Sequence, residues 1–80
     1  SMEDVARYAD RIMVMNHGEK AFDAPPKEVF RHYRELEQVG LAAPQVTYIM
    51  HDLKECGLPV RTDATTIEEA AEEIMRSFHD

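Results

Sequence analysis

The chain has 80 residues, and its 16 Asp and Glu against 9 Lys and Arg give a formal net charge of −7 at pH 7. This acidic balance disfavours nucleic acid as a partner, because affinity for a phosphate backbone rests mainly on cationic side chains. The 44% hydrophobic content is too high for a disordered acidic tail, yet no apolar run approaches the roughly 20 residues of a membrane helix. The composition predicts one small soluble domain. A lone cysteine, Cys56, favours a reducing compartment.

The first elements in chain order are a short helix and a hairpin. Apolar residues at three- and four-residue spacing predict a helix over about Met2 to Ala9. Ile12 to Met15 is a continuous apolar run, which is typical of a strand covered on both faces. A turn containing Gly18 separates it from a second extended stretch, Glu19 to Asp23, so the pattern predicts a β-hairpin. A hairpin this apolar is expected to need partners, and we expect the chain to self-associate.

Three helices are predicted in the remainder of the chain. The first runs from about Pro26 to Gln38, and the second opens at Ala43-Pro44 and closes at Gly57. The third begins at Thr65 or Thr66, since Thr66 and Glu69 match a capping box. Its predicted apolar face comprises Ile67, Ala70, Ala71, Ile74 and Phe78. The predicted fold class is therefore α+β and mostly helical, with a short amino-terminal helix and a β-hairpin followed by a three-helix region.

The residues that could carry chemistry do not form a recognisable site. No two histidines share the close spacing that brings metal ligands together on one helix face, and Cys56 has neither a second thiol nor a basic neighbour. The sequence has only three glycines, and they are widely separated. It therefore has no glycine-rich loop that could bind a phosphate through backbone N–H groups. The acidic block from Glu68 to Glu73 is interpreted as a solvated helix face. We predict no catalytic, cofactor-binding or metal-binding residue in this chain.

The amino-terminal third of the chain resembles a known protein family. Ala9-Asp10-Arg11, the strand Ile12 to Met15, Gly18 and Glu28-Val29-Phe30 resemble the segment that follows the switch histidine in ABC-type ATPases. Ala24-Pro25-Pro26 departs from that pattern, because the usual glycine and capping hydroxyl residue are replaced.

Residues in the second half of the chain resemble one group within that family. They are similar to the tail of the energy-coupling-factor ATPases, including those of cobalt transport, and the similar segments are Leu41 to Thr47, Leu58-Pro59-Val60 and Thr66 to Ala70.

The resemblance implies a division of the chain and a parent protein. Residues 1–23 would be the end of the ABC nucleotide-binding domain and residues 24–80 a helical accessory domain. The phosphate-binding loop and the other ATP-hydrolysing motifs are expected before Ser1, so ATP and magnesium would belong to the parent and the chain itself is expected to be inactive. The parent would be a peripheral protein at the cytoplasmic face, docked on a transmembrane coupling subunit of an importer of cobalt, nickel or vitamins.

The function implied for the tail is support of a dimer of ATPase subunits. The residues proposed as oligomer contacts are Phe30, Tyr33, Leu36, Met50 and Leu53, and the alternative for each is that it faces the chain's own core. Two other functions stay open at this point: a regulatory ligand-binding domain of an ABC ATPase, and a stand-alone interaction domain. A metal enzyme is the least favoured interpretation.

Overall fold

The computed structural model describes residues 1–79. Across these residues it holds a two-stranded antiparallel sheet and five helices, and it is 52% helical, which confirms the predicted fold class. The elements in chain order are α1 (Met2–Tyr8), β1 (Ile12–Asn16), β2 (Glu19–Ala24), α2 (Pro26–Arg31), α3 (Tyr33–Gln38), α4 (Gln45–Glu55) and α5 (Ile67–Ser77). No described helix is long and apolar enough to cross a membrane.

The hairpin forms because its turn can take positive φ angles. His17 and Gly18 have φ of 54° and 77°, as a tight hairpin connection with right-handed twist requires. On β1 the side chain of Val14 is buried, whereas Met13 and Met15 are exposed. The apolar run predicted to be covered on both faces is thus covered on one face by the described residues.

The predicted single helix from Pro26 to Gln38 is divided at His32. This residue has φ −95° and ψ 42°, and its N–H bonds to the carbonyl of Val29, three residues back. The His32 ring lies 5.6 Å from the Phe22 ring, and its Nδ1 is 2.8 Å from a carboxylate oxygen of Glu35. These contacts stabilise a bend that could not be predicted from the spacing of apolar residues. The bend directs residues of both α2 and α3 into one core.

Two apolar clusters form the interior. The buried members of the first cluster are Val14, Val29, Phe30, Leu36 and Ala43. Those of the second cluster are Val46, Met50, Val60, Ala64 and Ala70. The first cluster draws on residues from both sides of the predicted boundary between positions 23 and 24, while the division into two domains stays a prediction. The second cluster lies between α4 and α5 and fixes how α5 is presented to solvent.

Replacing the buried Met50 tests the second cluster. Met50 is 0% exposed and Met75 is 58% exposed, and both lie on helices, so the pair is matched in residue type. We expect Met50→Ala to lower the free energy of unfolding by about 2–5 kcal/mol through lost burial and a residual cavity. Met75→Ala should change it by about 0.5 kcal/mol or less, as is usual for surface positions. Urea denaturation measures both, and equal losses would contradict the described packing.

Candidate interaction surface

The five predicted oligomer contacts lie mostly inside the fold. Phe30, Leu36 and Met50 are 1%, 0% and 0% exposed, so each contacts the chain's own core, as the alternative interpretation had it. Tyr33 and Leu53 are partly buried and keep some surface. The Tyr33 ring is itself packed against other rings of the chain. An oligomer role for this set stays a prediction, and the surface that it offers a partner is small.

The structure instead exposes one side of α5. The single apolar face predicted for this helix separates into two. Ala70 and Ile74 pack on the second cluster. A second set points to solvent, with Ile67, Met75 and Phe78 exposed by 67%, 58% and 70%, and with Ala71 also exposed between them. We call Ile67, Ala71, Met75 and Phe78 the α5 face.

The members of the α5 face lie in one stripe. At about 100° per residue they fall within an arc of roughly 80° along the helix. This arc adjoins the one that carries Ala70 and Ile74. The apolar side of α5 is therefore wider than the part of it that packs on the second cluster. A contiguous exposed apolar patch of this kind marks an interaction site more often than a scattered one does.

A cavity of about 390 Å³ adjoins the start of the α5 face. Its wall is apolar on the side of Val46, Ile49 and Ile67, and Glu3 and Arg7 of α1 lie on the polar side. Ile49 is 44% exposed and therefore extends the apolar surface from α5 onto α4. The cavity and the α5 face form one continuous surface.

The amino terminus of α5 is held by a modified capping box. The Thr66 hydroxyl accepts the N–H of Glu69 at 3.2 Å, as predicted. The Glu69 carboxylate, however, accepts the N–H of Thr65 at 2.9 Å, and not that of the capping residue itself. It also accepts the Lys27 ammonium of α2 at 2.9 Å. Burial raises the pKa of Glu69, but the bonds from Thr65 and Lys27 outweigh it and hold that pKa below its ordinary value.

The carboxyl-terminal half of α5 is fastened to the loop before it. The Glu73 carboxylate accepts from the Arg76 guanidinium at 2.6 Å and from the backbone N–H of Arg61 at 2.7 Å. Arg76 also donates to the carbonyl of Pro59 at 3.0 Å. The bond from Arg76, followed by that from Arg61, lowers the pKa of Glu73 to about 2. These bonds fix the rotation of α5 and so keep the α5 face turned outward.

Helix α1 is tied to the first turns of both long helices. Glu3 accepts the backbone N–H of Gln45 at 2.9 Å, which supplies the α4 amino terminus with a cap that the preceding Pro44 cannot give. Arg7 pairs with Glu68 of α5 at 2.8 Å. The Gln45 bond lowers the pKa of Glu3, and the Arg7 bond lowers that of Glu68. Neither pair has a local sequence signal, because the partners are 42 and 61 residues apart.

We compared the chain with known protein families and with curated proteins. No family model matches. The chain is similar to the energy-coupling factor transporter ATP-binding protein EcfA2 of Caldanaerobacter subterraneus, with 47% identity over 95% of the chain and 27% of the relative. It is 48% identical to EcfA2 of Clostridium tetani over 99% of the chain and 27% of the relative. EcfA1 of Caldanaerobacter subterraneus is 44% identical over 94% of the chain and 27% of the relative.

These relatives confirm the resemblance found in the sequence. The chain spans about a quarter of the length of the relatives that it matches, and the matched part lies in their carboxyl-terminal portion.

The Glu73 interactions predict a pH effect on stability. Because the pKa of Glu73 is lowered from 4.5 to about 2 in the folded chain, its stabilisation is complete above pH 4.5 and is lost as the pH falls toward 2. We expect Glu73→Gln to be less stable than the unmodified chain at pH 6 and to lose less of its stability on acidification. The urea midpoint measured from pH 6 to pH 2 checks this. The exposed neighbour Glu72→Gln is the control and should keep the full acid sensitivity; a parallel pH profile for Glu73→Gln and the unmodified chain would contradict the assignment.

Proposed function

The chain belongs with the carboxyl-terminal portion of the energy-coupling factor transporter ATP-binding proteins, and we propose that it supports the association of two ATP-binding subunits in such a transporter. The observation that carries this proposal is the α5 face, an outward apolar stripe that the described residues leave uncovered. It continues through Ile49 onto α4.

The rest of the proposed role concerns the longer protein to which the chain would belong. That protein would bind ATP and magnesium through motifs that this sequence does not contain, and would be peripheral at the cytoplasmic face of the membrane on a transmembrane coupling subunit. The importer would take up cobalt or nickel ions or a vitamin, selected by another subunit. The partner would be a second ATP-binding subunit, and the similarity of the chain to both EcfA1 and EcfA2 of one organism is compatible with either a like or an unlike pair.

A contact of this kind acts as a tether. When nucleotide leaves and the ATP-binding surfaces separate, a second contact elsewhere keeps the subunits at a high effective concentration for each other. The tether need not be strong, because it works within an assembly that other contacts already hold together. It is most useful when it does not oppose the opening of the nucleotide interface.

The cavity beside the α5 face favours a second candidate function, a regulatory ligand-binding domain. Its volume is in the range of small-molecule sites. Against this, the two charged side chains in its wall are already engaged, because Glu3 accepts from the Gln45 backbone and Arg7 pairs with Glu68. A ligand would have to displace those bonds, which makes subunit association the better-supported function.

The association itself is testable with the 80-residue chain. We expect a reversible monomer–dimer equilibrium between about 10 μM and 1 mM, as suits a contact that only supports a larger assembly. Sedimentation equilibrium and light scattering over this concentration series measure it. A chain that stays strictly monomeric at the highest concentration would contradict the proposed function.

The assignment to a longer ATP-binding protein has its own test. The coding sequence upstream of Ser1 should contain a histidine close to the present start and a phosphate-binding loop well before it. The 80-residue chain should give no binding heat with ATP at about 1 mM, because it lacks a loop of backbone amides to hold the phosphates. A native start codon at Met2, or micromolar ATP affinity, would overturn the assignment.

A further inference from the structure

We propose that Arg7 of α1 and Lys27 of α2 form a clasp on the first turn of α5, and that the tilt of α5 follows the position of α1 and α2 through this clasp. Ile67, the first residue of the α5 face, lies next in sequence to Glu68, which Arg7 binds. The clasp therefore regulates the surface on which the proposed function rests.

The joint between the amino-terminal elements and α5 is not held by an apolar core. All members of the first cluster lie at or before Tyr48, and no described residue of α5 is among them. The core residues of α5 belong to the second cluster. The cavity of about 390 Å³ lies in the joint, with Arg7 in one wall and Thr65, Thr66 and Ile67 in another. Close-packed interiors resist displacement, but a joint with a cavity can move with little loss of packing.

Two ion pairs cross this joint. The Arg7 guanidinium is 2.8 Å from a carboxylate oxygen of Glu68, and the Lys27 ammonium is 2.9 Å from one of Glu69. Lys27 also donates to the backbone carbonyl of Asp63 at 3.1 Å, so it holds the loop before α5 as well. Glu68 and Glu69 are consecutive, and they therefore leave the helix in directions about 100° apart. Pairs in two directions fix the tilt of a helix end, which a single pair cannot do.

The rotation of α5 about its own axis is fixed separately. Glu73 accepts the backbone N–H of Arg61, and Arg76 donates to the carbonyl of Pro59. Val60 of the same loop is buried in the second cluster together with residues of α5. The loop and α5 therefore move as one body. A change at the clasp tilts this body and leaves the direction of the α5 face about the helix axis unchanged.

The tilt changes how far the apolar surface extends. Ile67 of α5 and Ile49 of α4 both line the cavity. Helix α4 does not follow α5, because Tyr48 packs on the first cluster and the His51 ring lies 4.6 Å from the ring of Tyr33. A tilt of the first turn of α5 thus changes the separation of Ile49 and Ile67. The continuity of the surface offered to a partner changes with it.

The Arg7 pair crosses the predicted boundary between the two parts of the chain. Arg7 lies in residues 1–23, which are predicted to end the nucleotide-binding domain, and Glu68 lies in residues 24–80. In the longer protein of the proposed function, a movement of the ATP-binding part would reach α1 first, and Arg7 would pass it to α5. An exposed ion pair suits this role, because it is weak enough to break and form again.

Charge reversal tests the clasp in the 80-residue chain. We expect Arg7→Glu to speed hydrogen exchange of the Glu69 amide about threefold, because the first turn of α5 loses one of its two ties. Arg7→Glu combined with Glu68→Arg restores the pair with opposite polarity and should return the exchange to its original rate. The methyl chemical shifts of Ile49 and Ile67 should change and return in the same way, which reports a movement at the cavity and not only a loss of stability.

The matched control is Arg31→Glu on α2. Arg31 forms an exposed pair with Glu28 at the same distance of 2.8 Å, and its reversal changes the net charge of the chain equally. It should leave the exchange of the Glu69 amide unchanged. Equal acceleration by Arg7→Glu and Arg31→Glu, or a double variant that stays fast, would overturn the clasp.

Sedimentation equilibrium of the same variants tests the regulation of association. Arg7→Glu should change the dimer dissociation constant at least threefold relative to Arg31→Glu, and the double reversal should remove the change. An unchanged dissociation constant would overturn the regulation while the proposed function stands. If the unmodified chain does not associate, the proposed function fails, and the exchange rates and methyl shifts still decide whether the clasp sets the tilt of α5.

Discussion

The Glu69 carboxylate connects the two halves of the described chain. It accepts the N–H of Thr65 at the start of α5 and the ammonium of Lys27 on α2. The Lys27 pair is about half exposed, so by itself it contributes at most about 1 kcal/mol. The bond to the Thr65 amide is partly buried, and its loss would leave a donor unsatisfied, which costs more. Glu69 thus holds the start of α5 at α2, while α5 completes the second apolar cluster.

The orientation of α5 in turn explains the uncovered apolar side. A chain of 80 residues buries only about 60% of the surface that its unfolded form exposes. The second cluster uses Ala70 and Ile74 from α5, and there is no further described element to cover Ile67, Met75 and Phe78. Glu73 and Arg76 fasten the opposite side of the helix to the preceding loop, so α5 cannot roll to bury its exposed stripe without losing those bonds. The exposed face is therefore fixed by polar contacts on the other side of the same helix.

Local sequence patterns predicted the helices and strands, but they did not predict which of their faces are buried and which are exposed. The turn around Gly18 and the cap at Thr66 were found because a tight turn and a helix start have signals within a few residues. The bend at His32 was missed, since it depends on contacts with Phe22 and Glu35 that periodicity does not include. The ties of α1 to Gln45 and Glu68 were missed as well, because long-range polar pairs leave no local signal. For α5 the apolar residues other than Met75 were identified, but a helical pattern cannot tell how wide a core its own chain provides.

A helical pattern does not show which apolar residues the chain's own core will cover. For this reason the predicted contact residues and the exposed α5 face differ. The stripes that contain Phe30, Leu36 and Met50 are the most regular in the sequence, and regular stripes usually face the core of their own chain. Their side chains are buried in the described chain and contribute to its fold, and their role as oligomer contacts stays a prediction. The surplus apolar surface of α5 contributes little to the single chain and is available for a contact that forms and separates. The proposed tether would use a surface of this second kind, because binding there does not compete with the packing that stabilises the single chain.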